Sequence, residues 1–172
     1  METRIKFLGH PIHPMLIVFP LGLFSIAVLS DVIYLATSNQ DFALVAYWNI
    51  TLGIILGLLA AVFGLIDWLA IPKGTRAKDV GLWHGIGNVV IVGLMIVSWL
   101  LRMSNPVYGS DTLPFLVALL GVAMALVTAW LGGEMVYRHG VAVDRDASLN
   151  ASSSLETDGI LSSGEPPTAG AA

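Results

Sequence analysis

Cysteine is absent from this chain of 172 residues, and charged residues are scarce. The lack of thiols excludes disulfides, thiolate metal ligands, iron–sulfur ligation by cysteine and a cysteine nucleophile. Only 12% of the residues are charged, about half the proportion usual in a soluble domain. The eight lysines and arginines form no basic patch, so we expect no nucleic-acid partner. Neither a nucleophile–base pair nor a phosphate-binding loop is present, which favours a non-enzymatic role without catalytic residues.

Apolar residues make up 56% of the chain and arrive in four long blocks. Each block has the roughly 20 residues needed to cross a hydrocarbon core of about 30 Å. All five tryptophans fall near the ends of the blocks, as is typical of residues at the membrane interface. The sequence therefore predicts an all-α fold, a four-helix transmembrane bundle in the lipid bilayer with spans 14–36, 43–71, 81–101 and 113–137.

Lysine and arginine are distributed unequally between the two sides of these spans. Arg102 alone lies on one side, and the other seven lie on the side of the two termini. This asymmetry predicts that both termini are cytoplasmic. From about Val143 the composition changes to small and polar residues, too few of them apolar to form a core. We therefore predict a membrane domain over 1–142 and a disordered polar tail over 143–172.

The four histidines are placed so that one membrane face would gather them. Two stand in the motif His10-Pro11-Ile12-His13-Pro14 before the first span, His84 opens the third span, and His139 follows the fourth. Each proline disfavours a helical conformation for the residue before it. We therefore expect the motif to be extended, with Pro14 as the first helical residue.

Ionisable side chains inside a membrane are costly and must face a partner or a cavity. We expect five of them to converge on one pocket at the cytoplasmic side, and their residue types suit zinc or iron. This predicted metal site consists of His10, His13, Asp67, His84 and Glu134. Alternatively, His13 and His84 are the axial ligands of a haem, as in small four-helix cytochromes.

The competing interpretation is that these polar groups only hold the helices together. His84 shares a helix face with Asn88 and would then bond to Asp67 or Glu134 across the bundle. At the opposite side, Asp31 and Arg102 lie at matching depth and predict a structural ion pair. Glu134 and Arg138, four residues apart, predict an intrahelical pair.

Small residues supply the expected packing faces of the spans, since close approach drives helix association in lipid. We predict a stripe in the fourth span at Gly121, Ala125, Ala129 and Gly133, and another in the second at Gly53, Gly57 and Ala61. The two halves of the chain show no strict sequence repeat.

Several separated motifs resemble an uncharacterised bacterial membrane family, the domain of unknown function 2231. They are Gly9 to Pro14, Phe19 to Gly22, Gly64 to Trp68, His84 with Asn88, and Gly132 to Gly140. The resemblance implies a multi-pass protein of the bacterial inner membrane. Some members of that family are fused to Rieske iron–sulfur domains, so the resemblance also implies a redox partner.

Taken with the residue patterns, two functions stay open. The first is a structural or accessory membrane protein with a His/Asp/Glu cluster at its cytoplasmic face. The second is a membrane redox protein that binds haem or a divalent metal.

Overall fold

The computed structural model describes residues 5–105, 107–145 and 147–155. Within these ranges four long helices follow a short β-hairpin, and each helix is long and apolar enough to span a membrane. The predicted all-α bundle of four transmembrane helices is thus confirmed. The elements are β1 (Lys6–Phe7), β2 (His10–Pro11), α1 (Ile12–Thr37), α2 (Gln40–Ala70), α3 (Arg76–Arg102), α4 (Thr112–Gly133) and a π-helical turn (Glu134–Arg138).

The N-terminal hairpin corrects part of the expectation for the histidine motif. β1 and β2 pair antiparallel around Leu8 and Gly9, both of which have positive φ angles, 50° and 82°. Such a two-residue turn requires left-handed backbone at both positions, which favours glycine. His10 is extended as predicted, but α1 begins at Ile12, so His13 is helical and Pro14 is the third helical residue. Proline is tolerated there because the first-turn amides lack helical acceptors.

The helix bounds extend past the predicted spans where capping groups continue the helix into the interface. The Thr75 side chain accepts a hydrogen bond from the Lys78 amide, so α3 begins five residues before the predicted span at 81. Asn39 caps α2 through the Asp41 amide in the same way. Apolar length therefore locates the membrane crossing, whereas the caps locate the helix ends.

The helices form a ring in chain order, with α1 and α3 on one diagonal. α1 packs most extensively against α2, and α3 against α4, while α2–α3 and α1–α4 contacts close the ring. We call α1 with α2 the first hairpin and α3 with α4 the second. The centre is filled by a small set of side chains, and large aliphatic residues point outward to lipid. The central cluster is Phe24, Ala27, Ala46, Ile50, Ile91, Met95, Ala118 and Ala125.

The packing faces differ from the predicted small-residue stripes. Gly121 and Ala125 are buried as expected, but Ala129 is exposed and the face continues through Thr128. In α2, Ala61 is exposed while Ala60 is buried. The cause is geometric: a step of four residues overshoots a full turn by about 40°, so a four-residue stripe leaves the interface within a few turns.

The predicted polar tail lies only partly within the described residues. Residues 143–145 and 147–155 contain no helix or strand, and residues 156–172 lie outside the described part. The Ser154 hydroxyl donates a hydrogen bond to the Leu8 carbonyl at 3.0 Å and lies 3.4 Å from Nε2 of His10. This segment therefore contacts the N-terminal hairpin.

Candidate functional site

Two of the predicted site residues, His13 and His84, meet in the centre of the bundle. His13 lies in the first turn of α1 and His84 in the third turn of α3, so they reach one another along the diagonal. Their ring centroids are 6.4 Å apart and the rings are almost perpendicular, at 89°. Both side chains are half-buried. We refer to them as the histidine pair.

Each ring of the histidine pair is oriented by a main-chain carbonyl on the other helix of its own hairpin. Nδ1 of His13 is 2.9 Å from the Ala60 oxygen, and Nδ1 of His84 is 2.8 Å from the Thr128 oxygen. A carbonyl oxygen can only accept, so Nδ1 carries the proton and donates in both rings. In the neutral rings Nε2 is consequently the basic nitrogen with a lone pair.

A polar network surrounds His84. The Asn88 amide donates to the His84 carbonyl at 2.8 Å and lies 3.2 Å from Nε2 of His84. The Thr128 hydroxyl lies 3.5 Å from Oδ1 of Asn88 and donates to the Ala125 carbonyl at 3.1 Å. The predicted shared face of His84 and Asn88 is confirmed. The expected bond from His84 to Asp67 or Glu134 is wrong, because a backbone carbonyl occupies the donor nitrogen.

Glycines on α2 and α4 create the space for the two rings. A Cβ atom on Gly64 would lie 2.7 Å from Cε1 of His13, and one on Gly132 would lie 3.2 Å from Cε1 of His84. Neither contact leaves room for an alanine without movement of the ring. These glycines therefore determine where the imidazoles lie.

The other predicted metal ligands are not gathered around the histidine pair. His10 is exposed on β2, Asp67 is half-buried near the end of α2, and Glu134 begins the π-helical turn. Glu134 is 4.0 Å from Arg138, which agrees with the predicted i,i+4 pair. Among the described residues, no three His, Asp or Glu side chains lie close enough together to hold a metal ion. The five-ligand site is not assembled here, and metal binding stays a prediction.

The two helical hairpins repeat the same contacts, although the two halves of the sequence show no strict repeat. In each hairpin a histidine of the first helix bonds to a carbonyl of the second helix. The same ring packs on the glycine that lies four residues after that carbonyl. Seven residues before that carbonyl, another glycine contacts a large apolar side chain of the first helix. The corresponding positions are His13 and His84, Phe24 and Met95, Gly53 and Gly121, Ala60 and Thr128, and Gly64 and Gly132.

These correspondences indicate a pseudo-two-fold axis parallel to the helices. α1 and α3 run in the same direction, and an offset of 71 residues relates them, as it relates Asp31 to Arg102. In two-fold packing, a residue meets its own counterpart beside the axis. The histidine pair meets near one end of the bundle and Asp31 meets Arg102 towards the other. Parallel repeats about the membrane normal are a known arrangement in transporters.

The second axial contact is the predicted ion pair, and it is confirmed. The two terminal guanidinium nitrogens of Arg102, Nη1 and Nη2, donate to the Asp31 carboxylate at 2.6 Å, and both side chains are completely buried. The Ser98 hydroxyl lies 3.3 and 3.4 Å from the guanidinium and donates to the Pro114 carbonyl at 2.7 Å. The bidentate geometry joins α1 to α3 with both charges compensated.

A signal for the repeat was present as equal spacing rather than equal residues. His13 precedes Asp31 by the same interval as His84 precedes Arg102, and Gly53 precedes Gly64 by the same interval as Gly121 precedes Gly132. Residue identity changes at several of these positions, so a search for repeated letters does not find them.

Comparison with known proteins agrees with this architecture. Residues 9–145 match the model of a family described as "Predicted membrane protein (DUF2231)". No curated protein and no solved structure matches the chain. Since the matched range contains all four helices, the chain belongs to the DUF2231 family of membrane proteins.

Proposed function

We propose that this protein is a structural or accessory membrane protein in which each residue of the histidine pair holds the two helices of its own hairpin together. The observation that supports this best is the pair of carbonyl bonds, at 2.9 and 2.8 Å, that close each hairpin beside the pseudo-axis. Polar groups inside a bilayer lack water as a partner, so such bonds persist between helices. Each contributes about 1 kcal/mol to helix association.

A stability measurement on histidine variants tests this function. Replacing His13 or His84 by Ala should lower the free energy of unfolding of the detergent-solubilised protein by about 1–2 kcal/mol each. His10→Ala is the matched control, because His10 is exposed on β2 and bonds to no helix. Unchanged stability in both His13→Ala and His84→Ala would contradict the proposal.

A second candidate function, binding of a metal or haem in a redox protein, is favoured by one specific observation. Metal-binding histidines usually donate their other ring nitrogen to a carbonyl or carboxylate, which fixes the ring and raises its basicity. Both rings of the histidine pair have this orienting bond at Nδ1, which leaves Nε2 as the ligand atom.

The gap between the two rings is the size that one ion needs, whether a bare divalent metal or the iron of a haem. Two imidazoles on opposite sides of one ion would have centroids about 6 Å apart, given metal–nitrogen bonds of about 2.0–2.1 Å. The observed separation of 6.4 Å is comparable.

Asn88 provides a variant that separates the two functions. Its amide lies on Nε2 of His84 and competes with a metal for that nitrogen. Asn88→Leu should lower stability if the network is structural, and should raise metal affinity if His84 is a ligand. An absorption spectrum with metal analysis of the purified protein, repeated on His84→Ala, completes the test. A haem band or bound metal that disappears in His84→Ala would favour the second function.

We infer that the bilayer is a bacterial inner membrane, because the family that the sequence resembles is bacterial. A redox partner belongs to the second candidate function only.

A further inference from the structure

A separate cavity of about 440 Å³ opens beside the start of α3, remote from the histidine pair. It forms where the loop between α2 and α3 meets the chain that follows the π-helical turn. Ile71, Pro72 and Val141 give it an apolar wall. Arg76, Arg145 and His139 give it a basic wall. The lining of the cavity is thus amphipathic.

The two arginines of this cavity differ from Lys78 and Arg138, two other cations on the same face. Lys78 donates to the Trp68 carbonyl at 2.6 Å and lies 3.7 Å from the centre of the Trp68 ring. Arg138 pairs with Glu134 at 4.0 Å. Within the described ranges, Arg76 and Arg145 take part in no ion pair, and both are exposed. Their charge is therefore available to an anion.

Acidic residues lie close in sequence to the two arginines. Asp79 lies in the first turn of α3 and is exposed, and Asp144 precedes Arg145 in the chain. Neither lines the cavity. The lining therefore carries two full positive charges and one imidazole, with no carboxylate.

The depth of the cavity specifies what kind of anion fits. α2 ends and α3 begins at this face, and the π-helical turn that follows α4 ends there too, so the cavity lies at the level of lipid headgroups. Basic pockets between transmembrane helices bind anionic headgroups at this depth. An apolar wall beside the arginines suits the glycerol and upper acyl region of the same molecule.

We propose that this cavity binds a phosphate group, and that an anionic phospholipid supplies it. The phosphate lies between the guanidinium groups of Arg76 and Arg145, and the lipid backbone rests on Ile71 and Val141. His139 adds a ring N–H at the same wall. This site is independent of the function proposed for the histidine pair.

Titration of short-chain lipids into the detergent-solubilised full chain tests the site, with thermal unfolding as the readout. Dioctanoyl phosphatidylglycerol should stabilise the protein in a saturable manner, and dioctanoyl phosphatidylcholine should not. Arg76→Gln with Arg145→Gln should weaken the phosphatidylglycerol affinity by about 25-fold, at about fivefold for each arginine. Arg138→Gln removes a charge from the same face but not from the cavity, and should retain the wild-type affinity.

Three outcomes would overturn the proposal. The double variant could bind phosphatidylglycerol as tightly as the wild type, which would place the lipid elsewhere. Arg138→Gln could lose as much affinity as the double variant, which would indicate unspecific attraction to the basic face. Inorganic phosphate alone could stabilise the protein at concentrations similar to those of the lipid, which would assign the cavity to a free anion.

Discussion

The axial ion pair makes the pseudo-two-fold arrangement testable by exchanging its two residues. If positions 31 and 102 are equivalent, the double variant Asp31→Arg with Arg102→Asp should rebuild the same pair with its polarity reversed. Each single change should fail, because it leaves a like-charge pair or an uncompensated charge in a fully buried position. Asp31→Asn is the mildest single change, since the amide keeps the shape of the carboxylate.

The magnitudes follow from burial and from the unequal surroundings of the two positions. Removing one partner of a buried ion pair costs about 3–5 kcal/mol, which we expect for Asp31→Asn. The exchanged pair should recover most of this energy but not all. Ser98 lies 3.3 and 3.4 Å from the Arg102 guanidinium, whereas its counterpart Ala27 has no hydroxyl to offer. Loss of these two long bonds leaves a deficit of about 1–3 kcal/mol.

Equilibrium unfolding of purified protein in mixed detergent measures these differences as a double-variant cycle. The expected order of stability is wild type, then the exchanged protein, then Asp31→Asn, then the single variants Asp31→Arg and Arg102→Asp. An exchanged protein no more stable than its single variants would refute the equivalence of the two positions. A loss of unfolding free energy below about 1 kcal/mol for Asp31→Asn would refute the structural role of the pair, since removing the partner of a buried charge is strongly destabilising.

Three further predictions concern topology, packing and the tail. Reporter fusions after Gly140 and at Asn39 should report opposite compartments, with Gly140 cytoplasmic; an external Gly140 fusion would contradict the charge asymmetry. Gly64→Ala should destabilise the protein, because the added methyl group would push on the His13 ring. Gly22→Ala adds a methyl group in open space, so it should be neutral or stabilising by up to about 1 kcal/mol from helix propensity. Equal melting temperatures of these two variants would contradict the expected difference. Deleting the chain from Ala147 should leave membrane insertion and melting temperature nearly unchanged, because that segment has few large apolar residues; a large decrease in either would contradict this.

Much of the fold could be predicted from the sequence, because the bilayer imposes simple requirements. Apolar length and interfacial tryptophans located all four helices. The pairing of Asp31 with Arg102 was also predictable, since two opposite charges at one depth must find each other in lipid. Caps such as Thr75 and Asn39 shifted the helix ends by a few residues without moving the spans.

The candidate site was predictable only in part. Depth alone brought His13 and His84 together, but depth does not specify the rotation of a helix about its axis. That rotation depends on contacts such as Gly64 with His13, which no single helix reveals. The carbonyl partners of the rings could not be predicted either, because every residue of α2 and α4 has a carbonyl.

The opposite charges at the two equivalent positions also determine which hairpins can associate. Two copies of the first hairpin would bring two Asp31 carboxylates together beside the axis, and two copies of the second would bring together two Arg102 guanidinium groups. Buried like charges repel, so each hairpin rejects its own copy and accepts the other. The histidine positions tolerate identical residues, because neutral imidazoles carry no such repulsion. The two unlike charges therefore give this protein self-discrimination: each hairpin pairs with a hairpin of the other kind and not with a second copy of itself.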